Sequence, residues 1–327
     1  MIPDITILGL YEGLDPKEIR TESTNTANIL HSDTAGDHTD VQKPLNFPDY
    51  FDDIVSELWS PRYRNGISPN LTGLSEDGRV VRVNRTDYRS SLLMKRGADR
   101  PYLDHDVEEI RVDLEGFNDL IAPLNVGILV LGKDEYGDFL LLHRRGRETG
   151  TDQGKLAVFP VGYVRLGEEI SDAFGRQSLD ELGLELYDDN LHSGVELKVI
   201  GTARAKYDTP DMTAVARTNL GYGEFELMLT TAKDKFETEN LIRCGIDPKS
   251  PESLYRFVYE NWDSFNLDAI SKILLLANDL YGREAYRRFS TDLMSRYGIT
   301  IKERYVFSYF SNGGHFDLLF QDFPNFC

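Results

Sequence analysis

The chain has 327 residues, of which 40% are hydrophobic, so it is long enough for one large domain or two modest ones with a packed core. Lys and Arg number 36 against 55 Asp and Glu, which gives a formal net charge of −19. This acidity argues against DNA, RNA or an anionic membrane as partners, because their phosphates require clustered positive charge. A small anion is still a compatible ligand where a basic pocket or a bound cation reverses the local field.

Cysteine content and the first residues indicate where the protein works. Cys244 and Cys327 are too few for a disulfide framework. The opening stretch has an apolar run of about six residues and no basic segment before it, unlike a signal peptide. No stretch approaches the roughly 18 apolar residues of a membrane span. We therefore expect a cytoplasmic protein.

The first third of the chain mixes strand, loop and helix signals. A strand is predicted at 3–10 and a long polar loop at 20–47, where turn-forming residues are frequent. Apolar residues at helical spacing in "YFDDIVSELWSPRY" predict a helix, and a strand is predicted to begin at Val80. The segment "DLEGFNDLIAP" is predicted to be a helix that ends before Pro123.

From residue 119 onward, strands and helices alternate. The segment "NVGILVLGKDEYGDFLLLHRRG" predicts a hairpin, and "KLAVFPVGYV", "ELKVIGTARAKYD" and "GYGEFELMLTT" predict further strands. Helices are predicted from 251 and from 268, and the aromatic tail is strand-like. This order indicates an α/β domain over 119–283, with an N-terminal extension (1–118) and a C-terminal extension (284–327) packed on it.

A short acidic helix follows the third of these strand signals, within "GYVRLGEEISDAFGRQSLDELGLEL". Gln177, Asp180 and Glu181 share one face of it, because residues three and four apart are neighbours on a helix. Gly183 is a natural C-terminal stop. An acidic helix alone is most often a solvated surface with ion pairs, so the spacing before it decides whether it carries chemistry.

That spacing resembles the Nudix box, G-x5-E-x7-R-E-U-x-E-E-x-G-U, in which U is a bulky apolar residue. Five residues separate Gly162 from Glu168, and seven separate Glu168 from Arg176. The resemblance implies the Nudix fold, an α/β/α sandwich with a mixed sheet. The sequence departs from the box where Gln177 replaces a glutamate, Ser178 an apolar residue and Val161 the first glycine.

The resemblance also implies a metal-dependent hydrolase of diphosphates, because Nudix enzymes use box acids to bind divalent cations. Mg²⁺ is the expected cofactor, with Mn²⁺ as the alternative, since both take oxygen ligands. The expected metal ligands are Asp180, Glu181, the Gly162 carbonyl and a distant acid on a later strand, for which Glu224 is the candidate. Strand alternation does not separate Glu224 from Glu226.

Four residues of the box are the expected catalytic set: Glu181, Asp180, Gln177 and Glu168. Glu168 is also expected to pair with Arg176 and brace the loop onto the helix. Gln177 cannot accept a proton, so two alternatives stay open. Either the metals and another acid activate water without it, or the protein binds nucleotides without turnover.

Patches outside the box are loosely similar to the Nudix branch that hydrolyses UDP-glucose and UDP-galactose. These patches include "IVSELWSPRY", "VRVNRTDYRSSLL", "LLHRRG" and "VIGTAR". The similarity implies a small-molecule nucleotide substrate and leaves the oligomeric state open. It also suggests that Tyr88 stacks on a base and that Arg89, Arg145 and Arg204 hold the diphosphate.

Overall fold

The computed structural model describes residues 4–28, 41–42, 48, 50–59, 67–97, 101–102, 105–115, 117, 121–147, 149, 152–187, 194–205, 208–310 and 316–322. Side chains are described for these residues except 24–28, 41–42, 305–310 and 316–322.

The strands, in chain order, are β1 (Asp4–Leu14), β2 (Arg20–Asn28), β3 (Val41–Gln42), β4 (Ile67–Leu74), β5 (Val80–Asp87), β6 (Asn125–Asp134), β7 (Gly137–Arg145), β8 (Leu156–Ala157), β9 (Val161–Tyr163), β10 (Glu196–Ala205), β11 (Asp211–Arg217), β12 (Thr238–Gly245), β13 (Thr300–Phe310) and β14 (Phe316–Asp322). The α-helices are α1 (Tyr50–Leu58), α2 (Tyr88–Gly97), α3 (Val107–Glu115), α4 (Ile170–Leu182), α5 (Tyr222–Thr231), α6 (Glu252–Glu260) and α7 (Leu267–Tyr297).

One large mixed sheet organises the described part of the chain. Its main strand order is β12-β7-β6-β11-β10-β1-β13-β14, with β8 added to β7 and β9 added to β6. The β6–β11 and β1–β13 pairs are parallel, and the other neighbours are antiparallel. A second sheet of four strands has the order β3-β2-β5-β4.

Helices cover both faces of the large sheet. Alternate residues of β6 point to opposite sides, so Leu129 and Leu131 pack with α6 and α7 while Ile128 and Val130 pack with α4. A third apolar cluster joins α1, α2 and α3. This confirms the predicted α/β/α sandwich with a mixed sheet. No helix among the described residues is long and apolar enough to cross a membrane.

Most of the predicted elements are confirmed, among them β1, the β6–β7 hairpin, α1, α4, α6 and α7. The two extensions contribute to the large sheet, since β1 lies between β10 and β13. Helix α7 changes direction at Gly282, whose φ of 81° favours glycine, and it continues into the C-terminal extension. Cys244 is free and buried, and Cys327 lies outside the described residues.

Three element predictions are wrong. Arg20–Asn28, at the start of the predicted loop, is strand β2, which pairs with β5. The helix expected in "DLEGFNDLIAP" begins earlier, at Val107, and ends at Glu115. The segment "GYGEFELMLTT" is helix α5 and not a strand. The strand beside β10 is β11, which the sequence analysis did not predict.

The error at α5 has a clear physical cause. Its apolar residues were interpreted with a period of two, but Tyr222, Phe225 and Leu229 are spaced three and four apart and pack on the core. Glu224 accepts a hydrogen bond from the Gly221 N–H at 2.7 Å and so satisfies a free backbone donor at the start of the helix. This helix position removes the strand alternation on which the choice of Glu224 rested.

Candidate functional site

The acidic helix α4 lies directly against strand β9. Gly162 of β9 pairs with Val126 of β6, and a Cβ at position 162 would lie 1.9 Å from the end of the Gln177 side chain. Only glycine therefore leaves room for Gln177 here. Helix α4 ends at Gly183, whose φ of 73° and N–H···O bond to Leu179 (3.0 Å) form a left-handed cap.

A two-pronged ion pair fixes the loop between β9 and α4. Arg176 donates from Nε and Nη2 to the two oxygens of Glu168 at 2.6 and 2.8 Å, and Nη2 also donates to the Tyr163 carbonyl at 2.8 Å. The Arg165 N–H donates to Glu168 as well. Although burial opposes ionisation, these donors hold the pKa of Glu168 below its usual range. The structure thus contains the predicted brace, in which both Glu168 oxygens are already occupied.

Gln177 links this brace to the next acid on the helix. It is buried, with 8% of its surface exposed. With its amide oriented so that both ends are paired, it donates to Glu181 Oε1 at 3.1 Å and accepts from Arg176 Nη1 at 2.9 Å. A glutamate here would keep the bond from Arg176 but would place a second negative charge against Glu181.

Among the acids of α4, Glu181 is the one that faces strand β9. Its Oε2 accepts the Val161 N–H at 3.2 Å, one residue before Gly162. Burial raises the pKa of Glu181 well above its usual value, and the negative charge of Glu237 adds to the rise, while the Val161 N–H and Arg145 oppose it. A nearby cation would offset the unfavourable burial of this negative charge.

Glu237 is a candidate site residue that the sequence analysis does not name. It ends a 3₁₀ turn (Lys235–Glu237) and directly precedes β12. Burial raises its pKa, against the opposing charge of Arg145. Its position follows from close backbone packing, because the Gly146 N–H donates to the Glu237 carbonyl at 2.7 Å and a Cβ at 146 would lie 2.5 Å from the Phe236 carbonyl oxygen.

Glu224, the distant acid that the sequence analysis names, lies on a helix and not on a strand. Glu224 is exposed in the first turn of α5, where its carboxylate caps Gly221, and Glu226 is exposed on the same helix. The signal for Glu237 was present in "FETENLIRCG", an acid immediately before an apolar strand that pairs with "LLLHRR". That strand was not recognised, so its preceding acid was not considered.

Asp180 has a different environment from Glu181. Adjacent residues on a helix point about 100° apart. Asp180 Oδ2 lies 3.5 Å from Lys233 Nζ, and the Asp180 carbonyl accepts the Asp234 N–H at 2.8 Å. The segment that carries Glu237 is therefore attached to α4 through the backbone of Asp180.

The donor types fit a hard divalent cation. Glu181 and Glu237 offer carboxylate oxygens, the ligand type that Mg²⁺ and Mn²⁺ prefer, and the charge of Glu237 adds to the raised pKa of Glu181, so the two acids lie within electrostatic reach of each other. The fit is partial, because no group of three or more His, Cys, Asp or Glu side chains in the described part of the chain is arranged to hold a metal.

Of the two neighbouring arginines at the end of β7, Arg145 faces the acids. Its charge lowers the pKa of both Glu181 and Glu237. Arg144 instead donates to the Gly154 carbonyl at 2.6 Å. Strand alternation requires this separation, and it agrees with the choice of Arg145 in the sequence analysis.

His143 is a packing residue. It is buried, stacks on Phe159 with ring centroids 4.4 Å apart, and its Nδ1 lies 2.8 Å from Thr238 Oγ1. Burial lowers its pKa to about 3, so it is neutral at physiological pH.

The N-terminal extension supplies a row of rings and cations next to β9. The Arg89 guanidinium lies over the Trp59 ring at 4.4 Å, and Tyr88 meets the rings of Trp59 and Tyr163 edge to face at 6.3 and 6.2 Å. The Tyr163 hydroxyl lies 3.1 Å from Ser91 Oγ. Tyr88 and Arg89 are thereby close to the Gly162 turn, because Tyr163 is the next residue.

Arg204 is placed differently from the other candidate arginines. It lies on β10, opposite Thr6 of β1, and only 5% of its surface is exposed. Its role in holding the diphosphate stays a prediction.

Comparisons with known proteins give distant likenesses only. No protein-family model matches the sequence, and no curated protein matches it. Among solved structures, one named for a NUDIX hydrolase from Listeria monocytogenes is 17% identical with a TM-score of 0.28, covering 48% of this chain and 97% of that one.

Two further solved structures carry a ligand or an activity in their names. The NUDIX domain of Shewanella oneidensis NrtR, complexed with ADP ribose, is 11% identical with a TM-score of 0.32, covering 49% of this chain and 88% of that one. A C. elegans Ap4A hydrolase is 13% identical with a TM-score of 0.29, covering 53% and 99%. At these values the likeness gives no basis for assigning an activity.

Proposed function

We propose that this protein hydrolyses the diphosphate linkage of a nucleoside diphosphate sugar with the help of a divalent cation. UDP-glucose and UDP-galactose are the first substrates to consider, as the loose sequence resemblance implies. The observation that supports the reaction most strongly is the approach of Glu181 and Glu237 beside the Gly162 turn.

The proposed reaction adds water across one phosphorus–oxygen bond, giving UMP and a sugar 1-phosphate. A bound Mg²⁺ or Mn²⁺ would neutralise phosphate charge and orient the water. Glu181 and Glu237, with the Gly162 carbonyl, are the residues proposed to hold it, and Asp180 is the next nearest carboxylate along α4.

Other residues have positioning and binding roles in this proposal. The Glu168–Arg176 pair holds the loop that carries the Gly162 turn, and Gln177 orients Glu181. Arg145 is the proposed diphosphate-binding cation, since it lies next to both acids. Tyr88 and Arg89 are proposed to contact the nucleotide from the N-terminal extension.

A second function, nucleotide binding without turnover, is supported by Gln177. The amide fills the position where the Nudix box has a glutamate, and it uses a hydrogen bond to Glu181 where the glutamate would add negative charge. This alternative predicts that a nucleotide stabilises the protein against heat, that no product forms, and that Mg²⁺ adds nothing.

Product formation separates the two functions. Purified protein incubated with UDP-glucose and Mg²⁺ is expected to release UMP and glucose 1-phosphate in equal amounts, and EDTA is expected to stop the release. The matched control is the double variant Asp180→Asn/Glu181→Gln. If UMP release by the natural protein does not exceed that of the control, the enzymatic proposal fails.

A further inference from the structure

A second polar cluster lies one residue beyond the Gly162 turn. It joins Lys95 of α2, Asp208 before β11, Asn125 of β6 and Tyr163 of β9. Asn125 and Tyr163 are paired across the β6–β9 ladder, and Lys95 Nζ lies 5.7 Å from the centre of the Tyr163 ring. The cluster is separate from Glu181 and Glu237, but Glu181 accepts a hydrogen bond from Val161 of β9, the strand that carries Tyr163.

Among the described residues, one carboxylate oxygen of Asp208 accepts hydrogen bonds and the other accepts none. Its Oδ1 lies 2.6 Å from Lys95 Nζ and accepts the Thr209 N–H at 2.8 Å, with the Thr209 hydroxyl at 3.4 Å. Its Oδ2 takes no hydrogen bond from the described residues, and 28% of the side chain is exposed. The carboxylate is thus fixed in direction while one oxygen can still accept from a ligand.

Asn125 supplies a second acceptor in the same network. Its Nδ2 donates to Thr209 Oγ1 at 2.7 Å, which orients the amide. Its Oδ1 is buried and accepts no hydrogen bond within the described part of the structure. A buried side-chain oxygen normally has at least one hydrogen-bond partner. A donor from a bound molecule or a water would satisfy it.

The balance of charges in this cluster indicates which kind of ligand fits it. Lys95 and Asp208 cancel each other, and behind them Lys272 is buried between Asp211 (2.7 Å) and Asp268 (2.5 Å). Burial and the charge of Asp268 raise the pKa of Asp211 well above its usual value, so this inner group also carries little net charge. A phosphate finds no excess positive charge at this cluster, and its carboxylates do not form a group of three or more that could hold a metal.

We infer that the Lys95–Asp208 cluster is a subsite for the hydroxyl-rich sugar portion of the substrate, with Asp208 Oδ2 as the acceptor that binds sugar hydroxyls. This inference rests on the proposed function. A sugar ring is uncharged and presents several O–H donors, which matches the oriented and partly exposed acceptor Asp208 Oδ2 in a neutral surrounding. In a nucleotide sugar the ring is bonded directly to the diphosphate, and the cluster adjoins the Gly162 turn where the diphosphate is proposed to bind.

Affinities for UDP-glucose and UDP, measured by calorimetry with Ca²⁺ in place of Mg²⁺, test the subsite. The natural protein is expected to bind UDP-glucose about tenfold more tightly than UDP, since hydrogen bonds to a charged group are the stronger kind. The Asp208→Asn variant is expected to reduce this preference to about twofold or less. A ratio of two affinities does not depend on the fraction of protein that is folded.

Two further variants make the result specific. Asp279→Asn, on α7, is the matched control, because Asp279 also accepts a hydrogen bond from a basic side chain at 2.6 Å. This substitution is expected to leave the preference for UDP-glucose over UDP unchanged. Asp208→Glu keeps the charge but displaces the oxygen, and it is expected to lose most of the preference too.

Each contrary outcome has a distinct meaning. A preference for UDP-glucose that survives Asp208→Asn would overturn the subsite, and so would equal weakening of UDP and UDP-glucose, which would place Asp208 at the nucleotide. Failure to bind either compound would overturn the proposed function together with the subsite.

Discussion

Glu181→Gln is expected to lower the rate of UDP-sugar hydrolysis by about 10²–10⁴, the usual contribution of a positioned acid–base group. Glutamine keeps the shape of the side chain but removes the negative charge that the site offers to a cation and to the water proton. The rate is measured as UMP released per minute at saturating Mg²⁺.

The same substitution is expected to lower thermal stability slightly. Both Glu181 oxygens accept hydrogen bonds, one from the Gln177 amide and one from the Val161 N–H, so the new amide nitrogen must face one of these donors. Removal of the unfavourably buried charge offsets part of this loss. Glu226→Gln on α5 is the matched control, because it removes an exposed acid and is expected to leave both properties unchanged. If Glu181→Gln kept full activity, Glu181 would have no part in the chemistry.

Gln177→Glu is expected to raise the rate of hydrolysis about tenfold or more in Mg²⁺, because it restores a proton acceptor next to the site. In EDTA it is expected to destabilise the protein by about 1–3 kcal/mol, since the new carboxylate loses the donor bond to Glu181 and adds repulsion. Thermal denaturation with and without Mg²⁺ measures the second effect, and added Mg²⁺ is expected to reverse most of it.

The control for this variant is Gln153→Glu, which introduces the same change on an exposed loop. It is expected to alter neither the rate nor the response to Mg²⁺. A Gln177→Glu protein that stays inactive, and whose melting temperature does not respond to Mg²⁺, would favour the binding function over the enzymatic one.

The acidic helix and its strand were predictable because their signals are local. Gly162, Glu168, Arg176 and Gly183 each have a short-range reason to occupy their positions: a close approach, an ion pair or a helix cap. Such features are visible in the spacing of residues along one segment. The alternation of apolar residues in the β6–β7 hairpin was equally informative.

The remaining part of the candidate site depends on contacts between distant segments. Glu237 is held where its charge acts on Glu181 because β12 pairs with β7 and because Gly146 permits close packing of two backbones. Neither contact follows from local periodicity. Glu224 was chosen instead because an apolar helix with few charges resembles a strand when tertiary contacts are unknown.

The unpredicted order of the large sheet has the same origin. Strand β1 lies between β10 and β13, nearly 200 and 300 residues away along the chain, as the Ile5–Ala205 and Ile5–Ile301 pairs show. Pairing over such separations is decided by the assembled core. The sequence pattern indicated the class of fold but not the neighbours of each strand.

Glu181 and Glu237 are proposed to hold a divalent cation beside Gly162. Anomalous diffraction from crystals grown with Mn²⁺ locates such an ion. We expect a Mn²⁺ peak about 2.2 Å from a carboxylate oxygen of Glu181, with Glu237 or the Gly162 carbonyl among the other ligands. A peak bound elsewhere, or crystals that take up no Mn²⁺ at this turn, would contradict it.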